Sequence, residues 1–202
     1  LGDVYKRQLS QGGNNQPIAC GVFGDAAMHA TPALTAVLFG LRGCLVQIAN
    51  DAPAPAPGAL AILANLHQRH VPCIWLDEIA DPPSQRMAQV LPDWLPGFTV
   101  TDPGLPAPNA CWQALMQLGS QRLAGCVLVS GDPRLLQAGL NAGLWTIGLA
   151  ACSPLCEPGS AQWQALPPAE QDLARGKATL ALFSLGVHSV IDHLEALDTC
   201  LH

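Results

Sequence analysis

The sequence predicts an α/β domain whose mainly parallel sheet is covered on both faces by helices, a three-layer sandwich. Three observations predict it. Apolar runs of strand length recur at Ile18 to Phe23, Ala36 to Phe39, Val71 to Leu76, Phe98 to Thr101, Cys126 to Val129, Trp145 to Leu149 and Ser189 to Ile191. Most are separated by segments with helical spacing, and strands alternating with helices imply a parallel sheet. The chain has 202 residues, 50% of them hydrophobic, which suffices for one domain with a substantial core.

Taken in order, residues 1–8 (LGDVYKRQ) lack an initiator Met and hold the only Tyr and one of the two Lys, so they read as a non-native leader. Residues 9–35 read as an N-terminal extension and 36–202 as a single domain. In the extension, Asp25 follows the apolar run Gly21-Val-Phe-Gly and is a candidate nucleophile or, more simply, a helix N-cap. Ala36 to Val46, AVLFGLRGCLV, is a buried strand running into a glycine-containing loop. Asp51 to Gly58, DAPAPAPG, has too many prolines for a helix and is expected to run extended as a stiff connector. A helix then starts at Ala59, with Ala59, Ile62, Leu63 and Leu66 on one face. Trp112, Leu115 and Met116 mark another helix, and Leu135, Leu136 and Leu140 a third. The loop Ser153 to Pro168 carries four prolines and precedes a helix over Ala169 to Leu185, where proline suits the first turn. Ligands of such sheets bind beyond the strand C-termini, where Gly40, Asp77 and Ser130 to Asp132 fall.

Composition narrows the function. Charged residues make up 12% of the chain, against roughly 25% in ordinary soluble domains, so self-association or a protein partner is expected. A net charge of -6 without a Lys/Arg cluster argues against nucleic acid. Arg42 interrupts the best apolar run, which leaves nothing near the roughly 18 residues that span a bilayer; a soluble, cytoplasmic protein is expected. Eight cysteines without a C-x-x-C pair fit a reducing compartment. Cys152 and Cys156 lack a nearby His, so zinc is not expected. His67 and His70 lie three apart on a helix and are metal candidates together with His188 or His193, but helix-end histidines are commoner as plain surface groups, and no metal is expected.

The loop after the first strand resembles the first motif of the haloacid dehalogenase (HAD) superfamily, a strand ending in Asp-x-Asp-Gly-Thr-Leu-Val. Gly43, Leu45 and Val46 match, while Gly40, Arg42 and Cys44 replace Asp, Asp and Thr. Three further segments resemble the phosphonoacetaldehyde hydrolase branch. Gly104-Leu-Pro-Ala-Pro108 is similar to Gly-Arg-Pro-Ala-Pro, Ala138-Gly-Leu-Asn-Ala-Gly-Leu-Trp-Thr-Ile-Gly148 to Ala-Gly-Leu-Asn-Ala-Gly-Met-Trp-Thr-Val-Gly, and Gly186-Val-His-Ser-Val-Ile-Asp192 to Gly-Ala-His-x-Val-Ile-Asp. The resemblance runs in order from about Ala36 to Leu197 and implies a HAD-like Rossmannoid fold.

The resemblance also implies where catalysis would sit, and there the residues differ. Glycine at 40 has no atom to form an acyl phosphate, and arginine at 42 accepts neither a proton nor a metal. Leu105 stands where the family has a cation that neutralises phosphoryl charge. Asp77 falls where a Ser or Thr hydroxyl would bind the phosphoryl group. Counting back from Ala138 puts Gly131 and Leu135 at the two acids of the Mg²⁺ motif; one deletion restores Asp132 but not the second acid. The family's Schiff-base lysine comes from a helical cap between the first and second motifs. Only about 30 residues separate Val46 from Asp77, so no cap domain is expected, and Lys177 is the only lysine outside the leader.

These departures predict a catalytically inactive HAD-like protein that acts by protein or ligand binding and needs no cofactor. An ion pair of Arg42 with Asp77 or Asp132 is the expected use of those charges. The ligand candidates are Arg42, Gly43, Cys44, Asp77 and Asp132, with a small anion as the ligand. The alternative is a HAD-type hydrolase or phosphatase with a relocated metal site built on Asp132, Asp77 or Asp25, using Mg²⁺.

Overall fold

The computed structural model describes residues 34–49, 52–78, 82–100, 102–154, 156, 163 and 165–201. The leader, the run Ile18 to Phe23, and Asp25 lie outside the described residues.

The expected α/β sandwich is the architecture found. Six parallel strands form one sheet in the order β5-β4-β1-β6-β7-β8. They are β1 (Ala36–Gly40), β4 (Cys73–Asp77), β5 (Gly97–Thr99), β6 (Cys126–Ser130), β7 (Trp145–Leu149) and β8 (Ser189–Ile191). β1 is central, with Phe39 opposite Trp75 on one side and Val129 on the other. The chain steps outward from β1 through β4 to β5, then returns to β6 and proceeds the other way. The reversal between β1 and β6 is a topological switch point, the place where sheets of this kind open a crevice.

Alternation along the strands divides the core in two, because successive side chains point to opposite faces. Val37, Phe39, Trp75, Val127 and Val129 pack toward Leu63 and Leu66 of helix α1 (Ala59–Gln68) and toward Leu194 and Leu197 of a closing 3₁₀ helix, Leu194–Cys200. Leu38, Ile74, Leu76 and Leu128 pack on the other face against α3 (Asn109–Gln117) and α4 (Pro133–Asn141). Leu136 of α4 continues that layer to Leu182 of α5 (Pro168–Leu185). Every residue of β1, β4 and β6 is buried, which is why those strands read as unbroken apolar runs rather than alternating ones.

Two elements depart from the sequence expectation. The Pro-rich segment is not a bare connector: Ala52–Pro55 forms β3, paired antiparallel with β2 (Val46–Ala49), with Val46 opposite Pro55 and Ile48 opposite Pro53. Proline donates no ladder bond and so is confined to edges, a condition that a free two-stranded hairpin meets. A short helix, α2 (Pro83–Ala88), also forms; its buried residues are Ser84 and Met87, too few to show a helical period. Between β1 and β4 the described chain holds only this hairpin and α1, with no separate cap domain. Among the described residues no helix is long and apolar enough to cross a membrane.

Candidate functional site

Because all six strands run the same way, their C-terminal ends form one edge, and a cleft of about 180 Å³ opens there beside the switch point. Gly40, Arg42, Asp77, Leu105 and Asp132 all line it, so the structure brings together residues that the sequence singled out one by one. Leu135, Ser130 and Glu78 also line it, with apolar Leu41, Leu76 and Val100. Gly43 and Cys44, the other two ligand candidates, are absent from that lining. Gly43 turns the loop with φ 68°, and Cys44 is fully buried, its thiol 3.5 Å from the Val129 carbonyl oxygen.

The backbone at position 40 is packed against its neighbour. A Cβ placed there would stand 2.7 Å from the Ser130 hydroxyl, closer than carbon and oxygen tolerate. Ser130 is fully buried, and its oxygen accepts a hydrogen bond of 3.0 Å from the Asp132 amide. The serine hydroxyl thus borders the space that a side chain at 40 would enter. Gly131 is tighter still: a Cβ there would lie 2.3 Å from the Cys152 carbonyl oxygen, so the turn after β6 accepts only glycine without a backbone shift.

The polar groups of the cleft hold one another. Arg42 Nε donates to Asp77 Oδ2 at 2.8 Å, and the Ser84 hydroxyl donates to the same oxygen at 2.6 Å. The Asp77 side chain is only 7% exposed, so this pairing satisfies a carboxylate that could not stay charged and buried alone. Arg42 also reaches the Met87 sulfur on α2. Across the cleft, Asp132 caps α4 by accepting the Arg134 amide at 2.8 Å, and the Arg134 guanidinium bridges Glu78 at 2.7 Å and the Leu105 carbonyl at 2.6 Å. Of the two partners foreseen for Arg42, the ion pair forms with Asp77.

Among the described residues, two guanidinium groups (Arg42 and Arg134) and three carboxylates (Asp77, Glu78 and Asp132) therefore line or border the cleft, one formal negative charge in excess. The sequence reading placed Ser130 at this edge and missed Glu78, Ser84, Met87 and Arg134. Arg134 lies two residues after Asp132 at a helix start and was open to inference, whereas Ser84 and Met87 lie on the short α2, which carries no motif.

The histidines do not assemble. His67 stacks on Trp94 with ring centroids 4.2 Å apart. His188, at the opposite end of the sheet, stacks on Trp145 at 4.3 Å and accepts the Thr146 amide through Nδ1 at 3.1 Å. Among the described residues no group of three or more His, Cys, Asp or Glu is placed to hold a metal ion.

Burial also governs the thiols. It pushes Cys73, Cys111 and Cys152 up to about 12, with the neighbouring Cys156 thiol adding to the effect at Cys152, and it raises Cys44 well above the ordinary range. The folded state thus keeps protons that the unfolded chain releases from about pH 8.5, so these groups contribute stability that is intact below that pH and lost as pH climbs toward 12. Unfolding followed from pH 8 to pH 11 is expected to show a falling midpoint. A disulfide-exchange reagent at pH 8 should react far more slowly with the native protein than in denaturant; equal rates would show that these thiols are open to solvent.

No family model matches the chain. The phosphonoacetaldehyde hydrolase of Bordetella pertussis is 28% identical over 156 residues, covering 73% of this chain and 55% of that protein. One solved crystal structure is 49% identical with a TM-score of 0.78, over 84% of this chain and 93% of its own. The phosphonoacetaldehyde hydrolase-like protein of Oleispira antarctica, 24% identical, superposes with a TM-score of 0.64 over 73% of this chain and 55% of that one. The switch-point sheet and these likenesses show a haloacid dehalogenase-like fold. In sequence the chain is related to the phosphonoacetaldehyde hydrolases. It spans about half the length of the curated relatives it matches.

Proposed function

We propose that this HAD-like chain does not hydrolyse phosphoryl or phosphonyl bonds and acts instead by binding, through protein contacts. The observation that carries this reading is position 40, where the superfamily's attacking carboxylate would stand. Glycine offers no nucleophilic atom there, and the Ser130 hydroxyl borders the space a side chain would need. The rest of the edge agrees. Arg42 is a cation where the second acid would be, and it is committed to Asp77.

The donor set does not suit Mg²⁺, which asks for oxygens in near-octahedral array, usually with one or two carboxylates. Gly40 and Arg42 bring no side-chain oxygen, and Asp77 already receives Arg42 and Ser84 on Oδ2. A dianion meets an excess of carboxylates here, so the cleft repels the phosphate-like ligand that the fold would otherwise take. Low charge content and exposed Trp112, Met116, Trp145 and Phe183 favour contact with protein surfaces.

One observation favours the rival hydrolase: Asp132 is half-buried at the cleft, and its cap uses Oδ1. Thermal unfolding with 10 mM-scale Mg²⁺ and inorganic phosphate separates the two readings. A ligand at about a hundred times its Kd adds roughly 2.7 kcal/mol of stability. We expect no shift with either ion or both. A rise of several degrees that requires both ions and vanishes in Asp132→Asn would favour the hydrolase.

A further inference from the structure

Helix α5 carries a face that the described residues leave uncovered. Its buried residues are Ala178 and Leu182, whereas Leu173 and Leu180 stand 59% and 68% exposed. Ala169, Leu173, Gly176 and Leu180 follow one another at steps of four, three and four, the seam spacing of a helix that packs lengthwise on another helix. Gly176 is exposed at the middle of this seam, and a Cβ there would meet nothing within 4 Å. A mid-helix glycine lowers helix stability relative to alanine, and among the described residues no packing contact gives a reason for it. Beside the seam lie Glu170 and Lys177, both exposed and without an ion pair among the described residues.

We infer that α5 pairs antiparallel with α5 of a second copy of this chain, about a two-fold axis passing between Ala174 and Arg175. In that register Leu173 lies over the partner's Gly176 and Leu180 over the partner's Ala169, so each bulky side chain meets a small one. Two-fold symmetry makes every such contact twice. The same register sets Glu170 against the partner's Lys177, again twice, in the flanking positions that select the alignment of paired helices. Sliding by one heptad toward Phe183 would instead bring the two copies of Lys177 together, a like-charge contact that disfavours it. The opposed charges and the large-over-small order thus point to one alignment and to the chain itself as the occupant.

The seam from Ala169 to Leu180 is about 17 Å long at the helical rise. A contact of that length buries less than the roughly 800 Å² per partner of a standard interface, so association in the micromolar range is expected. Sedimentation velocity of the full chain from about 1 to about 200 µM, which brackets that affinity, reads it directly. Wild type is expected to pass from monomer to dimer across this range. Leu173→Glu and Leu180→Glu should each remain monomeric, with circular dichroism unchanged because both positions are exposed. Lys177→Glu should weaken the dimer about tenfold, and Glu170→Lys combined with Lys177→Glu should restore it. A wild-type monomer at the highest concentration, a dimer that survives either Leu→Glu change, or a charge swap that fails to restore pairing would overturn the proposal. None of these outcomes depends on how the cleft is read.

Discussion

Alanine in place of Phe39 is expected to remove about 3 to 5 kcal/mol of stability, the usual cost of deleting a buried aromatic ring. Phe39 is fully buried at the centre of β1, between Trp75 on β4 and Val129 on β6. Its ring packs in the core facing α1, where close packing leaves no neighbour able to fill the space. For a chain of this size the loss should lower the melting temperature by on the order of 10 °C. Denaturant unfolding with an unchanged m-value would identify the cause as lost packing. A cost below about 1 kcal/mol would mean that the core collapses around the deletion and that β1 is less fixed than its full burial implies.

The second large effect concerns the ion pair at the cleft. Arg42→Met leaves the Asp77 carboxylate buried without its charged partner, and a loss of about 2 to 3 kcal/mol is expected. Asp77→Leu should cost less, about 1 kcal/mol, because the Arg42 side chain is 34% exposed and can turn to water. Replacing both should bring stability back to within about 1 kcal/mol of the wild type, since no charge is then left buried and unpaired. A double-mutant cycle at neutral pH measures this. Strictly additive losses would show that Arg42 and Asp77 act separately, and the reading of the cleft as an internally satisfied network would fail.

Much of this was legible in the sequence, for a physical reason. A strand buried on both faces must be apolar throughout, so β1, β4, β6 and β7 announced themselves as runs. The buried face of α1 showed in its spacing, whereas on α3 the expected face was wrong except at Leu115, because small Ala110, Cys111 and Ala114 fill the core with it while Trp112 and Met116 are exposed. β3 was hidden because Pro53 and Pro55 suppress the strand signal, although a free hairpin edge accommodates them. α2 was hidden because it buries only Ser84 and Met87. The site divides in the same way. Gly40, Arg42, Asp77, Leu105 and Asp132 could be placed at one edge because each ends a strand or belongs to a motif. What fills the edge could not. The Ser130 hydroxyl against Gly40 and the Arg134 bridge to Glu78 arise from tertiary contacts between segments far apart in the chain, and the Ser84 bond to Asp77 depends on the short α2, which carries no motif. Asp25, the remaining candidate, lies outside the described residues.

On the proposed function, the retained sheet keeps the relatives' scaffold while the altered edge removes their chemistry. Loss of a covalent nucleophile has cost on the order of a million-fold in kcat where it has been measured in a serine protease, a gap that a single half-buried carboxylate at 132 would have to close. The most direct measurement is hydrolysis of phosphonoacetaldehyde and of a generic aryl phosphate by the pure protein, with and without Mg²⁺, beside Asp132→Asn and Asp25→Asn. The account predicts product formation no faster than in buffer for all three proteins under both conditions. Metal-dependent turnover abolished by either substitution would contradict it and establish a relocated catalytic site.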